Sequence, residues 1–146
     1  MTLAAAERAA TESRWRRVRA PLGTAAGLAL ASAALRFRDP HQSGSWGFCP
    51  FKAMTGLDCP FCGGLRGVND LTHGRVVDAW HSNALFVSLL PVIAGAWLAW
   101  LGARWSGRAS SPSTRTTNTV TLVLLVLSVG FGIYRNTPWG EAFRVS

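Results

Sequence analysis

The sequence predicts an all-α membrane protein: three transmembrane helices and a cysteine-containing extracytoplasmic loop with a short helix. Three observations carry that prediction. Of the 146 residues, 49% are hydrophobic, and they are gathered into blocks instead of being spread through amphipathic elements. Two blocks, 84–103 and 116–134, hold no charged residue, and a helix needs about 20 residues to cross a hydrocarbon core of roughly 30 Å. Tryptophan marks the borders of the blocks, with Trp80, Trp100 and Trp105 around the first and Trp139 after the second, as in the aromatic belts of spanning helices.

Residues 1–19 read as a basic cytoplasmic segment, either a short helix on the membrane or an arm. Residues 20–35, APLGTAAGLALASAAL, form the first spanning helix, although their Ala and Gly content gives a weak hydrophobic drive. A signal-like alternative has two supports: the basic run RWRRVR ahead of the stretch, and the small residues Ala31, Ser32 and Ala33 at its end. Both alternatives place the cysteine loop on the same side of the membrane.

Residues 36–78 form the Cys/His loop, which holds all three cysteines, His41 and His73, and four of the seven acids. Within it LRGVNDLTHG gives about two helical turns, stopped at Gly74 by a residue suited to a left-handed cap. Residues 79–104 form the second spanning helix, with His81 and Asn83 at its outer end and a kink at Pro91. The Ser-rich stretch 105–115 is a cytoplasmic connection, residues 116–135 the third spanning helix, and residues 136–146 a short tail.

Positive charge sets the orientation. Five arginines precede the first span, and Arg104, Arg108 and Arg115 occupy the second connection beside only two acids. Seven basic residues and five acids lie on the other side. The bias predicts a multi-pass protein of the inner (cytoplasmic) membrane, with a cytoplasmic N-terminus and an extracytoplasmic cysteine loop. The net charge of +8 and the pI near 11.3 do not point to nucleic acid. The cations sit at the membrane borders, where topology and anionic lipid account for them. The expected partners are the lipid bilayer and a larger membrane protein or complex.

Chemistry is expected in the loop. Cys49, Cys59 and Cys62 are spaced Cys-x9-Cys-x2-Cys, and each of the first two precedes a proline. Cys59 and Cys62 are predicted at the N-terminus of the short helix, where free N–H groups favour a thiolate. An unbroken helix would place Cys62, Arg66, Asp70 and His73 on one face. Gly63, Gly64 and Gly67 weaken that helix and suit close backbone approach to another one.

Three assignments stay open. Cys59 and Cys62 can form a redox couple, with Cys59 attacking, Cys62 resolving and Arg66 tuning the pair, although no βαβ pattern of a thioredoxin fold surrounds them. The three cysteines can bind Zn²⁺ with His73, or else His41, as fourth ligand. Two of them can form a structural disulfide, as an oxidising compartment favours. Arg135 and Asn136 close the third span, where an arginine ordinarily snorkels to the interface.

The run from Cys49 through Phe86, followed by a span and later by YRNTPW, resembles the small bacterial membrane family called domain of unknown function 2752. Its hallmark is a Cys-Pro-x-Cys-Gly-x-Thr-Arg core, an upstream Cys-Pro, a downstream Gly and an Asn at the mouth of the next helix. Matching positions here are Cys49, Pro50, Gly56, Cys59, Pro60, Cys62, Gly63, Arg66, Gly74, Ala79 and Asn83, with Arg135 and Asn136 at the far end. Leu65 departs from the pattern, standing where the family has Thr. The resemblance implies the same architecture and a role for these positions, and it names no reaction. The leading expectation is an accessory or scaffold subunit with a disulfide- or metal-stabilised loop; the alternative is a membrane thiol-disulfide oxidoreductase.

Overall fold

A computed structural model describes residues 3–42, 44, 46, 49–108 and 112–144. The elements in chain order are α1 (Leu3–Phe37), α2 (Pro50–Thr55), α3 (Gly64–Thr72), α4 (Val76–Ser82), α5 (Ala84–Trp105), α6 (Thr114–Arg135) and a terminal 3₁₀ turn (Pro138–Phe143). Among the described residues, three helical segments, Arg14–Phe37, Ala84–Trp105 and Thr114–Arg135, are long and apolar enough to cross a membrane.

Burial is inverted relative to a soluble domain. Among the described residues the buried apolar ones are few, namely Val18, Leu35, Ala79 and Ala84, whereas the buried polar residues include Asn69, Asp70, Asn83 and Arg135. No residue in the apolar window of α6 is buried. Its Leu and Val side chains suit a lipid environment, in which they need no protein partner.

The first spanning helix does not begin where composition suggested. The chain is helical from Leu3 onward, and the basic stretch and the span form one continuous helix through Pro21. Pro21 is buried, and its carbonyl accepts a hydrogen bond at 3.1 Å from the Trp97 indole of α5. Trp15 and Trp105 meet edge to face, with ring centroids 6.3 Å apart, so α1 and α5 run antiparallel.

The second spanning segment is split at Asn83. This residue is extended (φ −164°, ψ 93°) and separates α4 from α5. Its side-chain oxygen accepts from the Phe86 N–H at 2.9 Å, capping α5. Apolar periodicity continues across the break, and so the sequence suggested one helix. The third span starts at Thr114, where the Ser113 side chain caps it.

Around the cysteine loop, α3 ends in a Schellman motif. Gly74 takes φ 74°; its N–H bonds the Leu71 carbonyl at 3.0 Å, and the Arg75 N–H bonds that of Asp70 at 2.9 Å. The buried Asn69 amide donates to the Leu35 carbonyl at 2.7 Å, tying α3 to the last turn of α1. Gly67 is a site of close approach: an added Cβ would lie 3.5 Å from the Ala79 carbonyl. Gly63 instead supplies a left-handed N-cap (φ 84°), and Gly64 faces open space.

Candidate functional site: a strapped thiol cluster

The segment Asp58 to Cys62 is a turn closed by the Cys62 N–H on the Cys59 carbonyl at 3.1 Å. Such a turn leaves carbonyl lone pairs unused, and buried carbonyls need donors. Three side chains at the ends of the spanning helices supply them. Asn83 donates from Nδ2 to the Pro60 carbonyl at 2.9 Å and to that of Cys62 at 3.1 Å. Arg135 donates from Nη1 to the carbonyls of Cys59 and Cys62 at 3.0 and 2.9 Å. Asn136 pairs twice with Asp58, accepting from its N–H at 3.0 Å and donating to its carbonyl at 2.8 Å.

Arg135 is fully buried. Its Nε and Nη2 donate to the Phe143 carbonyl, and the guanidinium carbon lies 5.3 Å from the centroid of the Phe131 ring. It therefore does not snorkel. A buried charge is tolerated when every donor is used, and here the donors are used on backbone from two segments. Two glycines make the geometry possible. A Cβ on Gly132 would come within 3.2 Å of Pro60, and one on Gly140 within 2.2 Å of the Tyr134 carbonyl.

With its backbone held, the turn brings three free thiols together. Cys59 Sγ lies 3.5 Å from Cys49 Sγ and 3.0 Å from Cys62 Sγ, and all three sulfurs lie within 4.8 Å of one another. Cys49 caps the short helix α2, which Pro50 opens. The Lys52 ammonium, one turn on, pairs with the Asp58 carboxylate at 3.0 Å and joins α2 to the turn.

The thiols differ in acidity. The Lys52 backbone N–H directed at Cys49 lowers its pKa below the usual thiol value, more than burial raises it. Burial, together with hydrogen bonding to Cys59 and Cys49, pushes the Cys62 thiol up to about 12.

The structure separates the remaining predicted site residues from the sulfurs. Cys62 precedes the Gly63 cap and lies outside α3, so it shares no helical face with Arg66, Asp70 and His73. His73 Nδ1 is engaged with the Asn69 carbonyl at 2.9 Å. His41 stands between Asp39 at 2.8 Å and Asp70 at 3.5 Å. Neither histidine joins the three cysteines. Arg66 Nε reaches the Pro40 carbonyl at 3.4 Å, and the guanidinium that holds the cysteine turn is that of Arg135. Asn69, Asp58 and Phe143 had no sequence signal of their own, except that Asp58 is a charge set directly against a Cys-Pro turn.

Residues 49–97 match a protein family described as Protein of unknown function (DUF2752). The match takes in the three cysteines and Asn83, and ends before Arg135 and Asn136. No curated protein and no solved structure matches the chain.

Proposed function

We propose that this chain, whose residues 49–97 match a family without an assigned activity, is an accessory or scaffold subunit of the inner membrane. Its thiol cluster is a metal-locked platform for a larger membrane partner. The observation that carries this reading is the convergence of three sulfurs within 4.8 Å. A disulfide uses two sulfurs, whereas a tetrahedral thiophilic cation such as Zn²⁺, with Zn–S near 2.3 Å, uses three and leaves a fourth position for water or a partner's side chain. The bound cation would supply the countercharge that the Cys62 thiolate needs in its buried position. Clamping of the loop backbone by Asn83, Arg135 and Asn136 suits a fixed platform. The bias of arginines toward the N-terminal segment and the 105–115 connection favours an extracytoplasmic loop.

A second reading, thiol-disulfide exchange, is favoured by the central position of Cys59. In it the Cys49 thiolate attacks Cys59 Sγ of a Cys59–Cys62 disulfide, the Cys49–Cys59 bond forms, and Cys62 leaves as thiolate and takes up a proton. The low acidity of Cys62 makes it a poor leaving group, so the locked platform is the stronger reading.

Intact mass spectrometry of the detergent-purified chain, with alkylation before and after chelation and with metal analysis, tests the lock. One metal per chain, with all three thiols alkylated only after chelation, is the expected result. A mass two daltons low without metal would replace the metal by a disulfide. The partner role is tested by a photo-crosslinker at the exposed Phe61 in native membranes. A one-to-one protein adduct that chelation abolishes is expected, and crosslinks to lipid alone would sink the subunit assignment.

A further inference from the structure

A second feature at the same end of the molecule owes nothing to the cysteines. A cavity of about 520 Å³ opens between the residues after α1, the α3–α4 turn and the terminal 3₁₀ turn. That size suits a small ligand or headgroup. Arg66, Arg75 and Arg144 line it, together with Asp39, Asp70 and Asp78. The buried Asp70 carboxylate is held by Arg75 at 2.6 Å and by the Ser82 hydroxyl at 3.0 Å. Asp39, which faces the His41 ring at 2.8 Å, and Asp78, 3.7 Å from Arg75, remain 45% and 62% exposed and keep acceptor positions toward the cavity.

Two properties define what fits. The lining carries equal numbers of arginines and aspartates, so a bare polyanion would meet three carboxylates and a simple cation three guanidiniums. A ligand with both charges satisfies both sets: arginine forks bind a phosphoester, and carboxylates accept the N–H bonds of a primary ammonium. The cavity also sits where the spanning helices end. Its wall includes Ser82, immediately before the Asn83 cap of α5, and Ala142 in the turn that succeeds α6. With these helices spanning a bilayer, their ends would set this level at the border between lipid and water.

We propose that the cavity binds a phosphoester carrying a primary ammonium, the chemistry of a phosphatidylethanolamine headgroup or of soluble phosphoethanolamine. Arg66 and Arg144 hold the phosphate, and Asp39 and Asp78 hold the ammonium. The inference is independent of the metal lock.

The test is native mass spectrometry of the detergent-purified full chain titrated with short-chain phosphatidylethanolamine, phosphatidylcholine and phosphatidylglycerol. Phosphatidylethanolamine should bind at least about tenfold tighter than phosphatidylcholine, which lacks ammonium N–H donors. Asp78→Asn should collapse that ratio toward one while helix content is kept. Arg144→Ala, at an exposed C-terminal position, should weaken both lipids together. Equal affinity for the three lipids, or variants that bind as the parent does, would overturn the proposal. Soluble phosphoethanolamine is added as competitor: displacement at matched concentration makes the free headgroup sufficient, and retention of the lipid assigns the bilayer as its source.

Discussion

Arg135 Nη1 is shared between two carbonyls of one turn, Cys59 at 3.0 Å and Cys62 at 2.9 Å. The last residue of the third spanning helix thereby fixes the backbone at both cysteines of the Cys-Pro-Phe-Cys run. The same guanidinium bonds Phe143, so the strap joins the turn, α6 and the C-terminal segment.

Removing that guanidinium leaves the Phe143 carbonyl without its donor and takes one of two donors from each of the Cys59 and Cys62 carbonyls. Arg135→Ala should cost about 1–3 kcal/mol, the cost of leaving a buried polar group unsatisfied. Arg135→Lys should recover only part of this, because an ammonium cannot span the same set of acceptors as a planar fork. Thermal unfolding in detergent measures both. Equal stability of the Lys variant and the parent would show that charge alone suffices.

Asn83 has two separable tasks. Asn83→Asp keeps the oxygen that caps Phe86 N–H but replaces the amide that donates to Pro60 and Cys62 with a second acceptor. Asn83→Ala loses both. If the strap matters more than the cap, the Asp variant should be at least as unstable as the Ala variant, because it sets a carboxylate against two carbonyls. Loss of a cap alone is worth about 1 kcal/mol. An Asp variant close to parent stability would mean that the cap dominates.

How much of this was legible in the sequence depends on which interactions are local. The spans rest on apolar runs, and the Gly74 cap on a glycine at the end of a short helical pattern; both are written in adjacent residues. The break at Asn83 was hidden because Ala79 and Trp80 before it and the apolar run after it read as one helix with a polar outer end, and only a donor requirement 21 and 23 residues away explains it. Arg135 looked like an interfacial arginine because its acceptors in the cysteine turn lie more than 70 residues upstream. The three cysteines could be grouped from spacing, but the fourth ligand could not. Helical periodicity put His73 on a face with Cys62, whereas the positive φ of Gly63 starts the helix after that cysteine.

Gly140 is a steric requirement. Its position allows no Cβ, with the Tyr134 carbonyl 2.2 Å and Arg135 Cα 2.5 Å from where one would sit. Gly140→Ala should lift the 3₁₀ turn off the end of α6 and withdraw the Phe143 carbonyl from Arg135. Hydrogen exchange over 138–144 should rise in this variant. A Gly64→Ala control, at an open position, should leave exchange in this segment unchanged.

The thiols should respond to pH in a fixed order. In the reduced, metal-free chain Cys49, with its lowered pKa, ionises before Cys62 and should be alkylated before it, whereas Cys62 stays protonated until about pH 12. The folded state holds the Cys62 proton more tightly than a free thiol of pKa 9.0 does. Its contribution to stability is therefore complete below about pH 9 and is lost as pH rises toward 12. Zn²⁺ should abolish this order by displacing the proton from Cys62 as well, because thiolate is the ligand form. Adding Zn²⁺ at pH 8 to the reduced chain in weak buffer should release protons and protect all three cysteines from alkylation together. Protection of Cys49 and Cys59 alone, with Cys62 still protonated, would mean that the third sulfur packs against the site without being a ligand.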